Sequence, residues 1–192
     1  SDSVRIFVEK LTHGKVHPTV IYRGFDWQLY ETIKTDDSKW LIQDTTTPRI
    51  IYIGRLVSGK GVADLIAALE LIKNKSWQCL IIGDGPEYKH LQSLCEQSGI
   101  SNRVRFTGAL SHKEALGTLK SADIFVNPSY SEGLPTTVIE ATVFKKAIIA
   151  TNVGGTNEII TDTKNGFLIK PGDPIELSEK ITALLDKSEA YS

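Results

Sequence analysis

The sequence predicts a doubly wound α/β domain, a parallel sheet covered on both faces by helices in three layers, on three observations. Short apolar runs of strand length recur at Ile50–Ile53, Cys79–Ile82, Asp123–Val126 and Ala147–Ala150. The longer stretches between them carry apolar residues at helical spacing. Apart from Asp123 the runs are apolar rather than alternating, which marks strands buried on both faces, and Gly54, Gly83 and the Asn127-Pro128 pair stop the first three. Such alternation of strand and helix calls for parallel neighbours joined by crossovers.

The chain of 192 residues, 41% hydrophobic and 23% charged, suffices for one well-cored soluble domain, or one domain plus a fragment. A net charge of −1 provides no broad basic field for nucleic acid or an anionic membrane. Cys79 and Cys95 fall in an expected strand and an expected helix. They read as buried free thiols of a reducing compartment rather than as a disulfide, and the cytosol fits. No apolar run approaches the roughly 20 residues that a bilayer requires, and the polar start lacks a signal-peptide pattern. Beginning at Ser1 rather than methionine, the chain reads as an excerpt of something longer.

In chain order, Val4, Phe7, Val8 and Leu11 share one face at helical spacing, so a short amphipathic helix over Asp2–Leu11 is expected, its stripe packed on a neighbour. Val20–Tyr22 reads as a short strand and Arg23-Gly24-Phe25-Asp26 as a turn. Residues 32–48 are polar and include Asp36-Asp37 and three successive threonines, the composition of a solvated linker. The first buried strand ends at Gly54, and Gly54-Arg55-Leu56-Val57-Ser58-Gly59-Lys60-Gly61 nearly satisfies the P-loop pattern. Gly61, however, has no hydroxyl to offer a magnesium ion.

The next helix sets Val62, Leu65, Ile66, Leu69 and Ile72 on one stripe facing the sheet, each contributing about 1.5–3 kcal/mol when fully buried. After the second strand, Gly83-Asp84-Gly85-Pro86-Glu87 is a turn whose proline opens a helix carrying Tyr88, Leu91, Leu94 and Cys95. Arg103–Thr107 alternates polar and apolar, as a strand with one exposed face does, and stops at Gly108. Ala109-Leu110-Ser111 is then a loop, and Ser111 with Glu114 forms a capping-box pattern opening a helix through Leu119. His112, at that helix start, reads as structural or solvated.

Downstream, Thr151–Glu158 reads as a flexible turn, and Ile159-Ile160 and Gly166–Ile169 as two short extended pieces. Pro171-Gly172-Asp173-Pro174 precedes a closing helix with Leu177, Ile181, Leu184 and Leu185 on one stripe.

The stretch Ser129–Phe144 organises the rest. Glu132 precedes Gly133, where backbone can approach a ligand closely, and Pro135 suits the first position of a helix beginning near Leu134. The free N–H groups and positive dipole end of that helix suit a phosphate. Glu140 lies within it among Val138, Ile139, Ala141, Val143 and Phe144. A carboxylate so covered needs a partner to offset desolvation, and a ligand hydroxyl would serve; a solvent-facing glutamate in a helix it favours is the bland alternative.

Glu132 and Glu140, with seven residues between them and Gly-Leu-Pro after the first, resemble the signature of the retaining glycosyltransferases of family four, glycosyl transferases group 1. These enzymes have two Rossmann-like domains in the GT-B architecture. The likeness covers roughly residues 49–187 and only the C-terminal, donor-binding half, so it implies residues 1–48 as a remnant of the interdomain region and 49–192 as the nucleotide-sugar domain.

By this resemblance, Arg55 and Lys60 clamp the donor diphosphate, Arg55 as a fork and Lys60 as a mobile point charge, and Glu132 meets the donor sugar. It implies catalytic roles for all three. Glu140 would hold the ribose hydroxyls. Gly54, Gly83, Gly133, Leu134, Pro135 and Thr136 would line the donor site, with Ala109 and Leu110 passing the base and reading it through backbone. Two solvated loop cations, and a Gly83–Pro86 turn that merely needs glycine, are the bland alternatives.

Arg23-Gly24-Phe25-Asp26 resembles the family's Asn-Gly-Val-Asp element with arginine for asparagine, and Gly154-Gly155 its Gly-Gly loop. Lys145 and Ala147 stand where the family has glycine and proline, a departure in turn chemistry.

The function implied is sugar transfer from a nucleoside-diphosphate sugar, such as a UDP- or GDP-sugar, to an acceptor in glycan or polysaccharide biosynthesis. The expected partners are that nucleotide sugar and an N-terminal acceptor-binding domain of the same chain, with no nucleic acid and any membrane contact only through that domain. The expected location is cytoplasmic, with membrane-peripheral attachment open for the full-length protein. No Asp-x-Asp occurs and the four histidines are scattered, so neither metal nor other cofactor is implied. A dinucleotide oxidoreductase would need Gly-x-Gly-x-x-Gly after the first strand, which is not there. A non-catalytic nucleotide-binding or regulatory module on the same fold is the alternative.

Overall fold

The computed structural model describes residues 1–22, 24, 27–35, 40 and 46–189. Helices α1 (Asp2–Leu11) and α2 (Trp27–Glu31) precede the alternating body, which starts with β1 (Arg49–Ile53), α3 (Val62–Leu71), β2 (Gln78–Ile82) and α4 (Tyr88–Gln97). It continues with β3 (Val104–Gly108), α5 (His112–Lys120), β4 (Ile124–Asn127), α6 (Thr136–Val143), β5 (Ala147–Thr151), β6 (Phe167–Ile169) and α7 (Pro174–Glu189). The six strands form one parallel sheet in the order β3-β2-β1-β4-β5-β6.

The unbroken apolar runs follow from cover on both faces. Ile50, Tyr52, Cys79 and Ile81 enter a core shared with α3, α4 and α7, while Ile51, Leu80, Phe125 and Ile148 enter a second shared with α5 and α6. Successive strand residues thus alternate between two cores rather than between core and water. β3 lies at the sheet edge, where Arg105, Phe106 and Thr107 are all half-buried, so the alternation of its sequence does not divide a covered face from an exposed one. Both cysteines are buried and free.

Local chemistry sets the helix ends. Ser111 accepts from the Glu114 amide at 3.3 Å while the Glu114 carboxylate accepts from the Ser111 amide at 3.0 Å, a complete capping box. Gly61, at φ 64°, joins a 3₁₀ turn over Ser58–Lys60 to the start of α3.

Several expectations need correction. Helix α1 forms where expected, but its apolar stripe is unpacked: Val4, Phe7 and Leu11 are 44%, 64% and 66% exposed. Its polar end holds it instead, through Glu158, which accepts from the Asp2 and Ser3 amides at 3.2 and 3.1 Å, and through the Ser3 hydroxyl bonded to the Gly154 carbonyl at 2.7 Å. Val20–Tyr22 joins no sheet, and Ile21 is 87% exposed, because the six strands form without it.

The 151–158 turn is not loose but contains a 3₁₀ helix, Gly154–Glu158, with Ile159 as its C-cap; only Phe167–Ile169 of the two expected extended pieces is a strand. Ile160 is buried in the second core rather than paired. Tyr30 and Ile33 are buried in the second core, so the chain ahead of β1 is partly packed rather than wholly solvated. Arg23, Phe25, Asp26 and Asp36-Asp37 lie outside the described residues. No helix among the described residues is long and apolar enough to cross a membrane.

Candidate functional site

The strand order reverses between β1 and β4, whose following loops leave the same, C-terminal, edge of the sheet. A crevice at such a switch point is where open α/β sheets bind ligands. A depression of about 240 Å³ lies there, lined among others by Tyr52, Gly54, Arg55, Lys60, Glu132 and Thr136.

Close backbone contacts fix the walls. A Cβ on Gly61 would lie 2.0 Å from the Pro128 carbonyl oxygen, so the loop after β1 presses on the loop after β4. Their association is sealed by the Tyr130 amide, which donates to the Gly59 carbonyl at 3.0 Å. A Cβ on Gly154 would lie 1.7 Å from the Glu132 carbonyl oxygen, and the Gly155 amide donates to the Gly133 carbonyl at 2.8 Å. The Gly-Gly loop therefore braces the peptide planes around Glu132. Gly83 likewise meets the Gly54 carbonyl oxygen, at 1.8 Å for a built Cβ, and its amide donates to Gly108 at 3.0 Å. Its glycine requirement is explained by packing, and it aligns the ends of β1, β2 and β3.

Within the depression, Lys60 Nζ lies 2.7 Å from Glu132 Oε1, and the Ser129 hydroxyl lies 2.6 Å from the same oxygen. The phenol of Tyr52 donates to the Arg55 carbonyl at 3.0 Å. Burial pushes that phenol up, the Glu132 carboxylate adds to the shift and the Arg55 guanidinium opposes it, so Tyr52 feels both charges. Arg55 is exposed, and its guanidinium has no hydrogen bond or ion pair to any described residue. Pro135 is the N-cap of α6 rather than its first residue: its ψ of 106° is extended, and its carbonyl accepts the first helical bonds, from Val138 at 3.2 Å and Ile139 at 3.3 Å. The Thr136 and Thr137 amides thus precede the helical ladder at the rim of the depression. A lysine, an arginine and a helix N-terminus around one hollow suit a phosphate-bearing ligand.

Glu140 does not line this hollow. It is 6% exposed, and its Oε1 lies 2.8 Å from His112 Nε2 and 3.3 Å from the Tyr30 hydroxyl, a donor. The partner that a covered carboxylate requires is thus supplied by protein groups. His112, expected to be structural or solvated, is largely exposed yet structural, and Tyr30 was not foreseen at all. Neither carries a local signal, since they lie 28 and 110 residues from Glu140. Through His112 the loop of Ala109 and Leu110, which leads directly into α5, sits beside Glu140. The expected donor residues therefore form two connected groups along one edge: Gly54, Arg55, Lys60, Glu132 and Leu134–Thr136 at the hollow, and Ala109, Leu110 and Glu140 beyond it. Among the described residues no cluster of three His, Cys, Asp or Glu side chains could hold a metal.

Comparison with known proteins agrees with this fold. The HepE protein of Anabaena, solved in complex with UDP and glucose, superposes with a TM-score of 0.80 at 26% identity over 90% of this chain and 48% of its own. The C-terminal domain of a glycosyl transferase group 1 family protein (LpcC) from Francisella tularensis superposes at 0.71, with 28% identity over 86% of this chain and 90% of that one. An uncharacterized glycosyltransferase of Methanocaldococcus jannaschii is 30% identical over 193 residues, which is 98% of this chain and 48% of that protein. The chain spans less than half the length of the curated relatives it matches. Residues 33–192 match the family described as glycosyl transferases group 1, and the chain belongs to that family.

Proposed function

We propose that residues 49–192 are the donor-binding domain of a retaining, metal-independent glycosyltransferase that moves a sugar from a nucleoside diphosphate to an acceptor in cytoplasmic glycan or polysaccharide biosynthesis. Residues 1–48 are the remnant of its interdomain region. The observation that carries this reading is the convergence of Lys60, Arg55 and the α6 N-terminus on one hollow at the sheet's switch point, with Glu132 inside it. The UDP and glucose held by the similar HepE support the same ligand class.

As the bond from sugar to diphosphate breaks, negative charge grows on the leaving phosphates. Arg55, Lys60 and the Thr136 and Thr137 amides stabilise that charge more in the transition state than before it, which lowers the barrier. Lys60 is ion-paired with Glu132 in the free domain, so an incoming diphosphate shares or takes over its ammonium. The nucleoside lies toward Ala109, Leu110 and Glu140, whose carboxylate accepts ribose hydroxyls alongside His112. The acceptor and its activating groups come from the other half of the enzyme, so this polypeptide binds donor weakly and transfers nothing by itself. Calorimetric titration with UDP, GDP and ADP tests the reading, with saturable binding of at least one expected. Absence of binding by all three refutes it, and sugar transfer by this chain alone refutes the division of labour.

A further inference from the structure

Three buried polar side chains sit where the two cores meet the hollow: Asn127, Ser129 and Thr151, exposed by 3%, 0% and 1%. Apolar packing has no use for them, and each carries a desolvation cost unless hydrogen-bonded. Their bonds converge on Glu132. Thr151 Oγ1 donates to the Ser129 carbonyl and fixes its peptide, and Ser129 Oγ lies 2.6 Å from Glu132 Oε1 and 3.1 Å from Asn127 Oδ1.

A hydroxyl has one proton, and the shorter, charged acceptor takes it. That leaves Asn127 Oδ1 facing a serine oxygen with nothing to give, while Asn127 Nδ2 is buried without a partner. A half-turn of the amide resolves both: Nδ2 donates to Ser129 Oγ, which donates to Glu132, and the unsatisfied group becomes a carbonyl, less costly to bury than an N–H.

We infer that Ser129, backed by Asn127, is a positioning residue that aims Glu132 at the donor sugar, an inference that rests on the donor-site reading. Glu132 Oε1 is fully engaged by Ser129 and Lys60, whereas Oε2 has no hydrogen-bond partner among the described residues. With one oxygen anchored by both Ser129 and Lys60, rotation of the carboxylate is restrained, and Oε2 stays free for a ligand hydroxyl. When a diphosphate draws Lys60 away, the Ser129 bond is the anchor that remains.

Two measurements test this on the chain as it stands. In the absence of ligand, melting of Ser129→Ala, Glu132→Gln and the double variant should be non-additive, the double losing no more than the worse single; additive losses overturn the tether. By calorimetry, Ser129→Ala should weaken UDP-glucose binding about tenfold and UDP binding less than twofold, since only the sugar meets Oε2. Asn127→Ala should do the same more mildly, and it carries the test if Ser129→Ala fails to fold. Equal weakening of both ligands, or of neither, assigns Ser129 to plain structure and overturns the inference. If the unaltered chain binds no nucleoside diphosphate, the donor-site reading itself falls, and the aiming role with it, whatever the melts show.

Discussion

Replacing Gly61 by alanine separates two reasons why a loop demands glycine, and Gly99 supplies the control. Both have left-handed backbones, φ 64° at Gly61 and 70° at Gly99. A Cβ at Gly99 meets nothing within 4 Å, whereas one at Gly61 lies 2.0 Å from the Pro128 carbonyl oxygen, at least an ångström inside any real contact. Gly99→Ala therefore bears the left-handed strain alone, about 1–2 kcal/mol. Gly61→Ala bears the same strain plus the displacement of a packed backbone, about 1–3 kcal/mol more. At about 2–4 °C per kcal/mol for a chain this size, melting should fall by about 2–8 °C in Gly99→Ala and by a further 2–12 °C in Gly61→Ala. Only the second should weaken nucleoside diphosphate binding in calorimetry, because moving Gly61 off Pro128 carries Lys60 away from Glu132. Equal melting losses, or equal affinities, would refute the idea that close packing of the two loops builds the hollow.

Other outcomes follow from the same structure. Lys145 ends α6 with φ 55°, its amide donating to Thr142 and that of Lys146 to Ala141, both at 3.0 Å, in a position that favours glycine; Lys145→Gly should raise the melting temperature by about 2–4 °C, for a gain of about 1 kcal/mol. Glu140→Gln should cost about 1.5–3 kcal/mol of affinity for whichever nucleoside diphosphate binds, read by calorimetry, and an unchanged affinity would make Glu140 purely structural. Burial raises the Glu158 carboxyl, but hydrogen bonds from Ser3, Tyr22 and Asp2 outweigh it and hold the group below its ordinary value of 4.5. The anchoring of α1 should thus be complete above that ordinary value and be lost as pH falls through the lowered one. The protection of the Ser3 amide against exchange, taken relative to the intrinsic rate at each pH, should be lost on acidification in the unaltered chain and be absent at every pH in Glu158→Ala.

Much of the fold was legible in the sequence because its signals are local. Apolar runs marked β1, β2, β4 and β5, the alternation in Arg103–Thr107 marked β3 as a strand, and Ser111 with Glu114 marked the start of α5. Where a local pattern stood alone it misled. The α1 stripe has helical spacing but no surface to cover, and Val20–Tyr22 has strand-forming residues but no sheet edge to join.

At the site, an apolar helix around Glu140 was enough to say that the carboxylate would be covered and would need a partner. The partner's identity was not readable, because Tyr30 and His112 reach it only after the chain has crossed the sheet. Lys60 and Glu132, 72 residues apart, are likewise joined by the reversal of strand order between β1 and β4. Residue spacing thus determined which segments are buried, which turn and which carry charge into apolar surroundings. Only the tertiary structure decided which charges meet, since that depends on the order in which parallel strands are laid side by side, and no stretch of sequence records that order.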